Sequence, residues 1–199
     1  AKEIKGIYNE QDYLQIQPKG KYIILNDLDF SKESGKKYSF GNKNLIFEGN
    51  IDYNGKTITT LYSSYLFAYI GRSGKISNLV LDVKMPDAEM SHWAAGAVFA
   101  TNYGEINNLQ VNLIHSNLYN NIYNTLVGWV NYGTVSEFVI NYKESLYGQH
   151  NSYAFYSNYG KIKNGYIYGK NTTQIGSINA GSGITTTAFL RTNCSSRNS

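Results

Sequence analysis

Apolar and polar residues alternate over short runs of this chain, and the alternation slips phase at recurring places. One nine-residue pattern occurs four times, at Ser73-Gly74-Lys75-Ile76-Ser77-Asn78-Leu79-Val80-Leu81 and at Tyr103–Val111, Tyr132–Ile140 and Tyr159–Ile167. Its anchor glycines, Gly74, Gly104, Gly133 and Gly160, lie 30, 29 and 27 residues apart. Two residues after each glycine stands Ile76, Ile106, Val135 or Ile162, and seven after it Leu81, Val111, Ile140 or Ile167. Five after it come Leu79, Leu109, Phe138 and Gly165. Positions five and seven share the period of a strand with one buried face, and position two is out of phase with them. A corner must therefore lie between, at Asn78, Asn108, Glu137 and Asn164. Asparagine tolerates the left-handed backbone that a sharp bend needs. Strand, one-residue bend and strand make the corner of a parallel β-helix, and unequal loops leaving equivalent corners explain the uneven spacing.

The residues before the glycine repeat as well. Asn102-Tyr103, Asn131-Tyr132 and Asn158-Tyr159 are identical dipeptides, each preceded by an apolar run: Val98-Phe99-Ala100, Leu126-Val127-Gly128-Trp129 and Ala154-Phe155-Tyr156. These runs predict a third strand per coil. Coils about 4.8 Å apart would bring equivalent amides and rings into ladders. An earlier coil is expected over Phe47–Leu61, turning at Asn54-Gly55. Asn9, with Glu10 and Asp12 after it, reads as a helix start whose Tyr13, Leu14 and Ile16 face inward, with Pro18-Lys19-Gly20 as the stop. The expected fold is all-β: a right-handed parallel β-helix over residues 21–190, with a helical cap over 1–20 and a disordered polar tail over 191–199. The hand follows from the crossover preference of parallel strands. Residues 181–190 are expected to form a last partial coil.

Composition removes several alternatives. The 199 residues include 24 Asn, 19 Tyr and 19 Gly, but only 16% are charged. That is too apolar and too near neutral for disorder, and too poor in Ala, Glu, Leu and Lys for a helical bundle. One cysteine, Cys194, excludes a disulfide scaffold. The net charge of +4 comes from lysines interspersed with acids, which argues against a nucleic-acid groove. The longest apolar run, Trp93–Ala100, falls far short of the roughly 18 residues of a membrane span.

Candidate chemistry is sparse. His92, His115 and His150 are placed in connections between coils and lack the spacing of a zinc site. Aligning the coils sets Asp82 beside Asn112 and Asn141, Glu105 between Lys75 and Thr134, and Glu137 between Asn108 and Asn164. No column holds the acid pair of a polysaccharide-cleaving β-helix, although loop acids such as Asp87 or Glu89 could still find a partner. Asp27 and Asp29 supply too few oxygens for calcium and read as turn residues. Cys194 lies in the polar tail with no base near it. No catalytic residue, metal or cofactor is expected. The candidate binding residues are tyrosines. Tyr103, Tyr132 and Tyr159 would form an exposed aromatic ladder, for which stacking for structure alone is the first reading and binding the second, and Tyr119 and Tyr123 lie in a polar, uncharged stretch, 116–124.

The motif order also resembles a known group. Leu126-Val127-Gly128-Trp129-Val130-Asn131-Tyr132-Gly133-Thr134-Val135 resembles the GLUG repeat of bacterial surface proteins. Tyr22–Phe30, then Phe47-Glu48-Gly49, Asn54-Gly55-Lys56-Thr57-Ile58, Leu66-Phe67 and Gly74–Leu79, follow an order similar to the β-helical region of streptococcal IgA1-protease-type (M26) zinc metalloproteases. The similarity spans roughly residues 10–170. That family's His-Glu-x-x-His motif does not occur in this chain. The resemblance therefore implies a non-catalytic accessory domain of a secreted or wall-attached Gram-positive protein, joined to other domains and meeting a host glycoprotein or glycan. The alternatives are a free-standing adhesin or phage receptor-binding domain that reads a glycan, and a polysaccharide lyase or glycosidase.

Overall fold

The computed structural model describes residues 3–32, 37–61, 64–84, 96–115, 124–142, 152–169, 175–180 and 185–192. In chain order the elements are β1 (Ile4–Ile7), α1 (Glu10–Tyr13), β2 (Lys21–Ile24), β3 (Leu28–Asp29), β4 (Asn50–Asp52), β5 (Thr57–Leu61), β6 (Phe67–Ile70) and β7 (Lys75–Lys84). They continue with β8 (Phe99–Asn102), β9 (Glu105–His115), β10 (Asn124–Asn131), β11 (Thr134–Tyr142), β12 (Ser152–Asn158), β13 (Lys161–Gly169), β14 (Ile175–Ala180) and β15 (Thr185–Thr192). Every pairing between these strands is parallel, and the chain is a β-solenoid. One sheet runs β6-β8-β10-β12-β14. The other runs β1-β2-β4-β7-β9-β11-β13-β15, with β3 and β5 joining it at β7.

The long strands of the larger sheet are bent in the middle. Asn78, Asn108, Glu137 and Asn164 have φ between 55° and 58°, the left-handed region expected at the corners, and Asn54 joins them at 57°. Ahead of its corner β7 pairs with β4, and beyond it with β5. Each coil thus has three faces. The early coil differs in one respect: Asp52 aligns with Ser77 but Thr57 with Val80, so its corner carries two extra residues. Tyr53 uses that room to sit fully buried inside the coil.

The interior is stacked columns. Tyr22, Ile51, Ile76, Ile106, Val135 and Ile162 form one, all buried. Leu28, Ile58, Leu81, Val111, Ile140 and Ile167 form another. Each such side chain contributes about 1.5–3 kcal/mol by leaving water. Where a column breaks, a large neighbour fills the gap. Gly165 follows Phe138 because a Cβ there would strike the Phe138 ring, and Gly128 makes the same room for Phe99. Phe138 meets Phe155 edge-on at 5.7 Å between ring centres.

The anchor glycines are required by close approach, since none of the four has a positive φ. A Cβ on Gly104 would collide with the carbonyl oxygen of Gly74, one on Gly133 with that of Gly104, and one on Gly160 with that of Gly133. Gly49 stands in the same relation to Gly20. The glycine column therefore runs two coils further toward the N-terminus than the repeat motif indicates.

The expected cap is a single helical turn. The Asn9 side chain accepts from the backbone N–H of Asp12 at 2.9 Å, and Asp12 Oδ2 accepts from the N–H of Tyr8 at 3.0 Å. Tyr13 and Ile16 are buried, whereas Leu14 is half-buried. Tyr13 lies against Phe30 at 4.7 Å between centres, and its hydroxyl meets that of Tyr53 at 2.6 Å inside the core. Three expectations need correction. The region 1–20 is not all cap, because Ile4–Ile7 extend the larger sheet beside β2. His115 is not in a connection but ends β9. Arg191 and Thr192 belong to β15 rather than to the tail. The rest of that tail, with Cys194, lies outside the described residues, as do His92, His150, Asp87 and Glu89.

Candidate functional site

The feature most able to meet a partner is built at the corner between the two sheets. Just before that corner Asn102, Asn131 and Asn158 are fully buried, and their amides run coil to coil. Asn102 Nδ2 donates to Asn131 Oδ1 at 2.8 Å, and Asn131 Nδ2 donates to Asn158 Oδ1 at 2.9 Å. The same side-chain oxygens accept the N–H of Gly104, Gly133 and Gly160. Buried amides are costly unless paired, and here each pairs with both its own turn and a neighbouring coil. The backbone N–H groups of Tyr132 and Tyr159 donate at 2.7 Å to the carbonyls of Asn102 and Asn131, one coil earlier.

This frame fixes the direction of the tyrosine that follows. Tyr103 and Tyr132 stack at 4.9 Å with 7° between their planes, and Tyr132 and Tyr159 at 5.3 Å with 15°. The three residues are 39%, 47% and 48% exposed. The ladder read from the sequence is therefore present, and the structure brings Tyr103, Tyr132 and Tyr159 together. The facing surfaces of neighbouring rings cover one another, so Tyr132 has a ring against each of its faces. Tyr119 and Tyr123 lie outside the described residues.

A second aromatic pair escaped the sequence reading. Trp129 and Tyr156 stack at 4.1 Å and 7°, both half-buried. Each stands three residues before a ladder tyrosine, and that shared offset was the available signal.

The polar columns are occupied by structure. Asn112 Nδ2 donates to Asp82 Oδ1 at 2.8 Å, and Asn141 Nδ2 to Asn112 Oδ1 at 2.9 Å. At the bent corner Asn78 Nδ2 donates to Asp52, Asn108 Nδ2 to Asn78, and Asn164 Nδ2 to Glu137. Strand register sets Glu105 between Lys75 and Thr134, so each acid of these columns has amides, a lysine or a hydroxyl beside it. Asp27 Oδ1 accepts from the N–H of Thr57, and Asp29 Oδ1 accepts from both the N–H and the hydroxyl of Ser31. Partial burial acts to raise the Asp29 pKa, but the Ser31 bonds, with Lys32 and Lys84 nearby, together hold it below the ordinary value. Both aspartates do the work of turn residues.

Among the described residues no group of three or more His, Cys, Asp or Glu is placed to hold a metal, and no helix is long and apolar enough to cross a membrane. Compared with family models, with curated proteins and with solved structures, the chain matches none.

Proposed function

We propose that this solenoid is a non-catalytic recognition module of a longer secreted or wall-attached bacterial protein. Its binding surface is the Tyr103–Tyr132–Tyr159 ladder. The observation that carries the reading is a row of exposed, parallel tyrosines held on a frame whose own amides and glycines are consumed by stacking. Tyrosine supplies contact area and a hydrogen-bonding tip at low entropic cost, which suits a surface meant to be met by another molecule. Stacking also selects the kind of contact. With the faces between neighbouring rings covered, the hydroxyl tips are what the three rings share along the row, which suits a host glycoprotein met through hydrogen bonds. The order of motifs from Tyr22 to Leu79 favours an IgA1-protease-like metalloprotease as the parent, with proteolysis in another domain.

The test is a binding screen against immobilised immunoglobulins, other glycoproteins and glycans, run in parallel with the Tyr103→Ala/Tyr132→Ala/Tyr159→Ala variant. Circular dichroism checks that both proteins keep their strand content. Capture of a glycoprotein by the native chain and loss of that capture in the folded variant are expected. Equal capture by both would remove the ladder from the function.

A further inference from the structure

The tyrosine row has a chemistry of its own, whatever it binds. A phenol that gives up one electron and its O–H proton becomes a phenoxyl radical. The unpaired electron is shared between the oxygen and ring carbons that include Cε1 and Cε2, and two such radicals join through a bond between Cε carbons. The reaction needs two phenols held side by side and open to the oxidant. Tyr132 meets both conditions. It lies between Tyr103 at 4.9 Å and Tyr159 at 5.3 Å, with planes 7° and 15° apart, and all three residues are exposed. The N–H groups of Tyr132 and Tyr159 donate to carbonyls one coil earlier at 2.7 Å, so the backbone under the row is fixed. Reactive groups held in place in this way couple in preference to meeting a second molecule.

Other aromatic pairs meet these conditions less well. Tyr13 and Tyr53 are buried, with ring centres 6.5 Å apart and planes at 45°. Tyr166 and Tyr168 stand further apart than the ladder rings, at 6.0 Å, and Tyr168 is half-buried. Trp129 and Tyr156 are both half-buried, and only one of them is a phenol. We propose that Tyr132 is a site of oxidative cross-linking, joined Cε to Cε with Tyr103 or Tyr159 of the same chain when hydrogen peroxide acts through a haem peroxidase. Each ring gives one electron and one proton, and the peroxide takes up two of each to become two waters. After the rings join, the hydrogen on each bonded Cε moves to the phenol oxygen, which restores both aromatic rings and both hydroxyls. One C–C bond is gained and the chain loses two hydrogens. Tyr132 is 29 residues from Tyr103 and 27 from Tyr159, so the bond closes a long loop and restrains the unfolded chain as a disulfide does.

The full chain, dilute, is treated with hydrogen peroxide and a haem peroxidase, and its monomer is isolated by size. That monomer should show the blue fluorescence of a biphenol. Peptide mass mapping should find Tyr132 joined to Tyr103 or Tyr159, the linked peptides lighter by two hydrogens than the separate pair. Tenfold dilution of the protein should leave the cross-linked fraction unchanged. The Tyr132→Phe variant keeps a ring in the stack but removes the phenol, and it leaves Tyr103 and Tyr159 about 10 Å apart, two strand spacings. Once circular dichroism shows it folded, its biphenol yield should fall at least fivefold. Tyr166→Phe should give the native yield. Linkage only between separate chains, a cross-link mapped to Tyr166–Tyr168 or elsewhere away from Tyr132, an unchanged yield in Tyr132→Phe, or a monomer without biphenol would overturn the proposal.

Discussion

At the residue scale the solenoid uses few residue types, each for a definite physical reason. Glycine stands where two coils approach too closely for a Cβ, as at Gly104 and Gly133. Asparagine stands where a buried amide must pair above and below, and also where the backbone turns left-handed. Glu137 is the exception. It sits at φ 58° in a column whose other members are Asn54, Asn78, Asn108 and Asn164. A left-handed conformation costs most side chains about 1–2 kcal/mol, and asparagine less. Glu137→Asn should therefore stabilise the fold by about 1 kcal/mol, raising the melting temperature by about 2–4 °C. The new amide can take over the contact that Glu137 now makes with Asn164. A melting curve checks this, and an unchanged or lower midpoint would mean that the corner is not strained by glutamate.

At the element scale, strands whose neighbours repeat were legible, as was most of β15 within the coil expected over 181–190, whereas β1 and β14 were not. The corner asparagines, the interior columns and the Asn-Tyr-Gly turn all recur, so their chemistry shows in an alignment of the chain with itself. β1 carries Lys5 where the later coils carry an apolar residue, and Glu3 just before it stands where they carry Gly, so it matches no repeat even though it pairs in register with β2. β14 was missed for a similar reason: Ala180 pairs with Asn158, and the Asn-Tyr dipeptide is absent there. The ladder tyrosines were legible as a column, whereas Trp129 and Tyr156 sat inside apolar runs that read simply as strand. The helical turn was legible from its cap, but its anchor into the solenoid was not, because Tyr13 and Tyr53 are far apart in sequence. Burial pushes both phenols well above the ordinary tyrosine range, in spite of the hydrogen bond that lowers Tyr13. In the unfolded chain they lose protons near pH 10, and in the folded chain they keep them. Above about pH 10 the unfolded state binds fewer protons, so stability falls by up to about 1.4 kcal/mol per pH unit for each phenol. Urea midpoints measured between pH 9 and 11.5 should drop more steeply for the native chain than for Tyr13→Phe/Tyr53→Phe. Equal slopes would contradict the buried pair.

At the scale of the whole molecule, frame and surface are separable. The buried columns of Ile, Leu, Val and Phe, the glycine stack and the amide ladders hold the coils together. The tyrosines add a partly exposed row on top of them, worth roughly 0.5–1.5 kcal/mol per stacked pair. The same stacking accounts for the low charge of β8, β9, β10 and β11, whose only Asp, Glu, Lys or Arg residues are Glu105 and Glu137. Equivalent residues sit one strand spacing apart, where like charges would repel and amides and rings attract. A surface built in this way can change its tips without unbuilding the frame. The most direct test of the account is the affinity of the triple Tyr103→Phe/Tyr132→Phe/Tyr159→Phe variant for the glycoprotein captured in the screen. Phenylalanine keeps the stack and removes the hydroxyls. If recognition runs through the exposed tips, Kd rises at least tenfold while the melting temperature moves by no more than a few degrees. An unchanged Kd in the folded variant would contradict it.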